Sequence, residues 1–172
     1  MSENRKCQVL VIGAGPGGYV AAIRSAQLGL DTIIVEGEKA GGVCLNVGCI
    51  PSKAIIHAAE KYEALNKHSS EGGHMGISVS GNPEIEMKGV VEWKDGIVQR
   101  LTKGVEALIK NAGAELINGW ATFSSSKQCI VKTGEGKINI EAENVIIATG
   151  SSHIDLPFMP VSYTHLTLPT KA

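Results

Sequence analysis

A glycine turn between two short apolar runs constrains the fold more than any other feature of this sequence. The runs, residues 7–12 and 32–35, are rich in β-branched side chains, and between them the apolar residues of 16–28 recur at helical spacing before Gly29. Strand, turn, helix and strand within about 30 residues make a βαβ unit, whose crossover is right-handed in nearly all proteins. The two strands are therefore expected to be parallel neighbours in an α/β fold.

The turn reads Gly13-Ala-Gly-Pro-Gly-Gly18, which matches G-x-G-x-x-G. In this motif the first glycine permits a tight turn, the second lets backbone approach a pyrophosphate, and the third allows close helix–sheet packing, while the helix start attracts phosphate. Glu36 ends the second strand and is expected to bind ribose hydroxyls, which disfavours a 2′-phosphate. The predicted dinucleotide-binding residues are Gly13, Gly15, Pro16, Gly17, Gly18 and Glu36. The motif does not choose between FAD and NAD, and a turn without a ligand is the alternative.

The rest of the chain predicts one Rossmann-like domain, residues 1–160, with a parallel sheet and a small antiparallel β-meander. Helices are expected at 45–66 and 88–111, with a Ser-, Gly- and His-rich loop at 68–83 between them. Strands are expected at 115–117, 120–123, 128–132 and 137–140, the last two as a hairpin, followed by a final buried strand at 144–148. Residues 161–172 continue no element, which indicates a non-native tail, with an ordinary polar terminus as the alternative.

Two cysteines, Cys44 and Cys49, lie about one helical turn apart near the start of the second predicted helix. Such a pair can close a disulfide if the backbone distorts, and Gly48 and Pro51 favour distortion. A helix N-terminus would also lower the pKa of a thiol there and make it reactive. A zinc site, which needs about two further ligands, and a pair of inert core cysteines are the alternatives.

Composition narrows the classes of partner. The net charge of -1 lacks the concentrated basic surface that nucleic acid requires, and no uninterrupted apolar stretch approaches the roughly 20 residues of a membrane span. The first residues show no secretory or organellar leader, so a cytoplasmic location is expected. Thiols are kept reduced in that compartment, and a disulfide would therefore be redox-active and not structural.

The segment Gly41-Gly-Val-Cys-Leu-Asn-Val-Gly-Cys-Ile-Pro-Ser-Lys53, together with the glycine turn, resembles the pyridine nucleotide-disulfide oxidoreductases. Within the C-x-N-V-G-C core and its flanks, Leu45, Ile50 and Ser52 resemble the branch that oxidises dihydrolipoamide more than the glutathione and mercuric reductases. Two further segments, 119–121 and 148–150, resemble places where the family's backbone approaches FAD. The resemblance covers about residues 6–160.

The resemblance implies a role for each matching residue. Cys49 would be the sulfur beside the flavin, Cys44 would exchange with dihydrolipoamide, and Lys53 would stabilise the reduced, anionic flavin, with an ordinary surface lysine as the alternative. Further contacts to FAD are implied for Gly42, Val43, Cys44, Lys53, Ala121, Thr149 and Gly150. Electrons would pass from dihydrolipoamide, carried on an acyltransferase or a glycine-cleavage carrier protein, through the two cysteines and FAD to NAD.

The family also contains an NAD-binding domain and an interface domain that donates a His-Glu pair across a homodimer. No second G-x-G-x-x-G follows residue 150. The resemblance therefore implies an incomplete chain that holds the FAD-binding and disulfide portion without competence for full turnover. An FAD-binding thiol module without NAD, or part of a glutathione or mercuric reductase, are the alternatives.

Overall fold

The computed structural model describes residues 2–70, 76–77, 79–152, 154 and 158. The strands are β1 (Ser2–Ile12), β2 (Thr32–Glu36), β3 (Glu115–Asn118), β4 (Trp120–Phe123), β5 (Gln128–Lys132) and β6 (Lys137–Ile147). The helices are α1 (Pro16–Gln27), α2 (Gly42–Asn46), α3 (Cys49–Ser70) and α4 (Met87–Ala112). The predicted α/β class is confirmed.

All strands belong to one six-stranded sheet in the order β3-β2-β1-β6-β5-β4. The pairs β2–β3, β1–β2 and β1–β6 are parallel, whereas β5 is antiparallel to both β6 and β4. Both the predicted parallel sheet and the predicted meander are therefore present, and β6 belongs to both.

The sheet curls, because its two edge strands follow each other in sequence. β3 ends at Asn118 and β4 begins at Trp120, so only Gly119 separates strands at opposite ends of the sheet order. A Cβ at Gly119 would lie 2.5 Å from the carbonyl oxygen of Lys132, which leaves room only for glycine. The meander consequently folds back towards β2.

Alternating side chains of the parallel strands fill two separate cores. On one face Val9, Val11 and Ile34 pack with Ala22 of α1 and Ile109 of α4. On the other face the strands pack with the meander, and this core consists of Cys7, Leu10, Ile12, Ile33, Val35, Ile117, Cys129, Val131, Ile140 and Ala142. Burial on both faces explains why β1 and β2 read as continuous apolar runs.

The prediction for the last strand is wrong in two respects. The separate strands expected at 137–140 and 144–148 form the single strand β6. Its second half is also not buried, since Ile147 is 68% exposed. The reason is that pairing with β5 stops at Glu141, and within the described residues no strand lies beside Asn144–Ile147 on that edge.

The predicted helix at 45–66 is confirmed over most of its length, but the perturbation expected at Gly48 divides the segment into two helices, α2 and α3. The second of them continues to Ser70, so the predicted loop at 68–83 begins later than expected. Residues 71–75 and 78 of that loop, and the predicted tail at 161–172, lie outside the described residues. The tail stays a prediction.

One helical segment, Gly42–Ser69, is long and apolar enough to cross a membrane by length and composition alone. Core helices of soluble proteins meet the same criterion, so it carries no conclusion about a membrane. The segment is also not one continuous helix, since α2 ends at Asn46 and α3 begins at Cys49.

Candidate functional site

The glycine turn is packed against the end of β6. Gly13 has a φ of +96°, and a Cβ there would lie 2.4 Å from the carbonyl oxygen of Ala148. A Cβ at Gly18 would lie 1.7 Å from the carbonyl oxygen of Gly13. Gly13 and Gly18 thus have the predicted roles of tight turn and close packing, and the turn can exist only with glycine at both positions.

The backbone N–H groups at the start of α1 receive no capping hydrogen bond from a side chain. Gly15 is the N-cap and supplies no side-chain hydrogen bond, Pro16 is the first helical residue, and the first turn contains no acidic residue. The first N–H groups of a helix have no partner within the helix, and the helix dipole makes this end positive. An anionic group is the partner that this helix start lacks.

Gly42 brings the cysteine segment directly over this helix start. It has a φ of +56°, and a Cβ there would lie 2.7 Å from the Cα of Gly15. Two glycines therefore face each other, with no side chain between the phosphate turn and α2. Backbone alone forms this contact, so the open start of α1 is bordered by backbone, as a closely approaching pyrophosphate requires.

The carboxylate of Glu36 lies at the carboxyl end of β2, beside the turn. It accepts hydrogen bonds from the backbone N–H of Ala14 at 2.6 Å and of Glu38 at 2.9 Å. The bond from Ala14 holds the Glu36 carboxylate against the glycine turn, next to Gly13. The carboxylate has further lone pairs with which to accept ribose hydroxyls.

The segment 119–121 reaches the same end of β2. The N–H of Gly119 donates to the carbonyl of Glu36 at 2.8 Å, and the ring of Trp120 lies over Gly37. Ala121, however, pairs with Val131 within the sheet and packs against the core below. Of this segment, Gly119 and Trp120 are the residues beside Glu36.

Thr149 and Gly150 follow β6 and border the turn from the other side. The N–H of Ala148 donates to the carbonyl of Ile12 at 2.8 Å, which holds the end of β6 beside the end of β1. A Cβ at Gly13 would lie 3.1 Å from the Cα of Thr149, and Gly150 has a φ of +73°. The structure therefore brings the turn, Glu36, Gly42 and Thr149 together at the carboxyl ends of the parallel strands.

A break in the helix sets the geometry of the two cysteines. Cys44 is in the middle of α2 and Cys49 is the first residue of α3. Between them, the N–H of Gly48 turns back to the carbonyl of Val43 at 2.7 Å, and the carbonyl of Gly48 accepts from both the N–H and the hydroxyl of Ser52. Val43 itself is exposed. The predicted distortion by Gly48 is thus a complete break.

The two thiols are neighbours, although all four cysteines of the chain are free thiols in the structure. Cys44 is half-buried and Cys49 is exposed. The pKa of Cys44 is raised, first because its thiol hydrogen-bonds to Cys49, then by burial and by repulsion from the Cys49 thiolate. The lowered pKa predicted from a helix N-terminus is wrong for Cys44, because the hydrogen bond to Cys49 and burial raise its pKa instead.

Lys53 acts on this pair in the opposite direction. It is exposed, lies one turn into α3, and its charge lowers the pKa of Cys44 against the larger raising effects. The predicted flavin-side cation is therefore within electrostatic reach of the cysteines.

Replacing Lys53 should make Cys44 less reactive. In Lys53→Gln the stabilisation of the thiolate is lost, so the pKa of Cys44 rises further and its thiolate fraction at a given pH below that pKa falls. We expect slower alkylation of Cys44 by iodoacetamide and a pH–rate profile displaced to higher pH, measured by peptide mass spectrometry. Lys61→Gln, an exposed lysine two turns later on α3, should leave the profile unchanged. Equal profiles for both variants would contradict the electrostatic coupling.

The other two cysteines take no part in this site. Cys7 and Cys129 are buried in the core between the parallel strands and the meander, as predicted for plain strand residues. Burial, and then the charge of Asp31, raises the pKa of Cys7 to about 11, and burial raises that of Cys129. In the described part of the chain no group of three or more His, Cys, Asp or Glu side chains could hold a metal ion.

Asn46 is a further site residue, and no sequence motif assigned it a role. Its side-chain amide donates to the carbonyls of Ala40 at 3.1 Å and Gly42 at 2.9 Å. Its oxygen accepts from the hydroxyl of Thr102 at 3.5 Å. Asn46 belongs to the C-x-N-V-G-C core, but the sequence alone did not show which groups it bonds.

Comparison with known proteins gives consistent matches along the chain. The family described as pyridine nucleotide-disulphide oxidoreductase matches residues 7–168. A dihydrolipoyl dehydrogenase of Pseudomonas aeruginosa is 49% identical over 162 residues, which are 94% of this chain and 34% of that protein. One from Geobacillus stearothermophilus is 51% identical over 150 residues, which are 87% of this chain and 31% of that protein.

Solved structures show the same fold. The Cu(II) complex of the HOCl-induced flavoprotein disulfide reductase RclA from Escherichia coli superposes with a TM-score of 0.73 at 24% identity, over 89% of this chain and 30% of that one. The uncomplexed reductase gives a TM-score of 0.69. The chain thus spans about a third of the length of the curated relatives it matches.

Proposed function

Because the chain belongs to the pyridine nucleotide-disulphide oxidoreductase family, we propose that it is the FAD-binding and redox-dithiol part of a dihydrolipoyl dehydrogenase. One observation carries the proposal: the segment that bears both cysteines lies on the phosphate turn through the contact of Gly42 with Gly15. A dinucleotide bound at the turn would therefore extend towards Cys44 and Cys49.

The proposed cofactor is FAD, which when bound supplies a two-electron acceptor. The open helix start at Gly15 would hold its pyrophosphate, and the carboxylate of Glu36 would accept the ribose hydroxyls. Lys53 would place a positive charge near the ring, where it favours an anionic reduced flavin. Gly17, Val43, Thr149 and Gly150 would contribute backbone surface, and Ala121 would support the adenosine end through its neighbours Gly119 and Trp120.

The proposed chemistry of the cysteines is thiol–disulfide exchange. A thiolate of dihydrolipoamide attacks Cys44 of the Cys44–Cys49 disulfide, a mixed disulfide forms, and Cys49 leaves as a thiolate. The second substrate thiol then attacks the mixed disulfide, so that lipoamide leaves and Cys44 becomes a thiolate. Two electrons have moved from substrate to the cysteine pair, with Cys49 as the sulfur that faces the flavin.

The wider assignments are part of the same proposal. NAD would be the final acceptor, dihydrolipoamide would arrive on an acyltransferase or a glycine-cleavage carrier protein, and the enzyme would act as a homodimer in the cytoplasm. The relatives' names support the lipoamide chemistry. We propose that the 172 residues alone do not complete turnover, because no second nucleotide-binding motif follows residue 150.

Titration of the chain with FAD tests the proposed cofactor site. We expect quenching of flavin fluorescence on binding, and about tenfold weaker affinity in Glu36→Gln, because a hydrogen bond to a charged group contributes roughly 1.5–3 kcal/mol. Glu38→Gln makes the same change of charge at the exposed neighbour and should bind FAD as the wild type does. Absence of FAD binding by the wild type, or equal loss in both variants, would overturn the assignment.

A further inference from the structure

We propose that Asn46 is a positioning residue that sets the redox equilibrium of the Cys44–Cys49 pair. The inference rests on the proposed function of that pair as a working dithiol. It arises from a single half-buried side chain that bonds three separate parts of the site: the loop before α2, the first turn of α2, and α4.

The first step is that α2 needs support beyond its own backbone hydrogen bonds. It has only five residues, and a helix this short is not stable through its own hydrogen bonds. Its N-cap, Gly41, has no side chain with which to cap it. The amide of Asn46 instead closes the helix on itself, since it reaches back from the last residue of α2 to the carbonyls of Ala40 and Gly42.

The second step is that this support fixes the position of Cys44 relative to Cys49. Cys44 lies inside the loop that the Asn46 side chain closes, and Cys49 follows Asn46 after only Val47 and Gly48. Leu45 is buried and anchors α2 to the core, but its apolar contacts do not direct the backbone as hydrogen bonds do. Asn46 is thus the polar group that orients the peptide between the two sulfurs.

The third step connects this support to α4. The Thr102 hydroxyl donates to the oxygen of Asn46 and so orients the amide, with its NH2 group towards α2. α4 is anchored in turn by Val105 and Ile109, both of which are buried. The hydroxyl of Thr102 and the amide of Asn46 therefore connect the segment of the cysteine pair to α4, which is fixed in the domain.

Loss of Asn46 should weaken the disulfide relative to the dithiol. A disulfide forms readily when the second thiol is held close to the first, and a looser segment lowers the effective concentration of one thiol at the other. In Asn46→Ala we expect the equilibrium constant for disulfide formation to fall about tenfold, which raises the reduction potential by about 30 mV for this two-electron couple. Thr102→Val should lower the same equilibrium constant by about two- to threefold. Thr102→Ser, which keeps the hydroxyl, should have the equilibrium constant of the wild type.

The equilibrium is measured in buffers of reduced and oxidised glutathione. Oxidised glutathione takes two electrons from the two thiols and becomes two molecules of glutathione, and the fraction of chain with a Cys44–Cys49 disulfide is read by alkylation and mass spectrometry. Asn111→Ala, an exposed asparagine at the end of α4, is the matched control and should leave the equilibrium unchanged. The experiment needs no flavin, so it does not depend on the cofactor assignment.

The outcomes separate the two proposals. If the wild type forms no Cys44–Cys49 disulfide at any ratio, the proposed dithiol function fails. If the disulfide forms with one equilibrium constant in the wild type, Asn46→Ala, Thr102→Val and Asn111→Ala, only the role of Asn46 fails. Circular dichroism identifies a variant that does not fold. If Asn46→Ala does not fold, Thr102→Val and Thr102→Ser are compared instead. Different equilibrium constants for disulfide formation in these two variants support the role of Asn46, and equal constants overturn it.

Discussion

Replacement of Gly18 with alanine is expected to destroy the nucleotide turn. The added Cβ would lie 1.7 Å from the carbonyl oxygen and 2.9 Å from the carbonyl carbon of Gly13, and both are backbone atoms that no rotamer change can move. α1 would have to separate from the end of β1 and from Ala148. Overpacking typically costs roughly 1–3 kcal/mol, and a clash with backbone this short is expected at or above the upper end of that range. Urea unfolding followed by circular dichroism should show an early transition or no folded state, and FAD binding should be lost.

The neighbouring Gly17 provides the matched control. It lies in the same turn of α1, is exposed, and has no atom within 4 Å of an added Cβ. Gly17→Ala should therefore raise stability by about 0.5–1 kcal/mol, because alanine loses less conformational entropy in a helix. A Gly18→Ala chain as stable as Gly17→Ala would contradict the packing described for the turn.

Treatment of the reduced chain with oxidised lipoamide is expected to produce a single internal disulfide between Cys44 and Cys49. The reagent gains two electrons and two protons and leaves as dihydrolipoamide, while the chain loses two hydrogens, which mass spectrometry detects. Cys44→Ser or Cys49→Ser should abolish the reaction completely. Oxidised glutathione as the reagent provides the comparison with the alternative of a glutathione reductase, and we expect lipoamide to react faster.

The two serine variants also separate the proposed roles of the sulfurs. With FAD bound and the chain reduced, long-wavelength absorbance should persist in Cys44→Ser and disappear in Cys49→Ser, because only the sulfur beside the flavin gives the charge-transfer contact. Cys129→Ala, which changes a buried cysteine far from the site, should behave as the wild type in both assays. A disulfide that includes Cys7 or Cys129 would contradict the assignment.

The phosphate turn and the parallel strands were predictable because their causes are local. A buried β-branched run predicts a strand, and Gly18 is required by its contact with Gly13 within the βαβ unit, although Gly13 also packs against the distant Ala148. Glu36 was predictable for the same reason, since the end of β2 fixes where its carboxylate lies. These predictions depended on sequence separations of about 20 residues.

The ends of β1 and β6 were not predictable in this way. β1 begins at Ser2, five residues earlier than expected, and its polar start pairs with the first half of β6. The side chains of Asn4 and Asn139 hydrogen-bond at 2.9 Å across this pair. The polar start of β1 has little strand propensity of its own, so it becomes a strand because the first half of β6 lies beside it.

For the cysteine segment, the pairing of two thiols was predictable from the sequence, but the backbone conformation was not. Spacing alone brought Cys44 and Cys49 within one turn of each other, but the break between α2 and α3 depends on the bond from Gly48 to Val43. The supporting bonds of Asn46 reach back to Ala40 and across to Thr102, which is distant in sequence. A local pattern contains no information about such a partner.

The pairing of the first strand with the last has a consequence for how the protein forms during translation. β1 emerges from the ribosome first, yet one of its two neighbours, β6, is made only after almost all the described chain. The glycine turn also rests on Ala148, so its final shape must await the same late segment. Contacts this distant in sequence slow folding, because a long loop must close before they form. The nascent chain therefore passes through a stage in which β1, α1 and β2 are present but the glycine turn lacks its final neighbour.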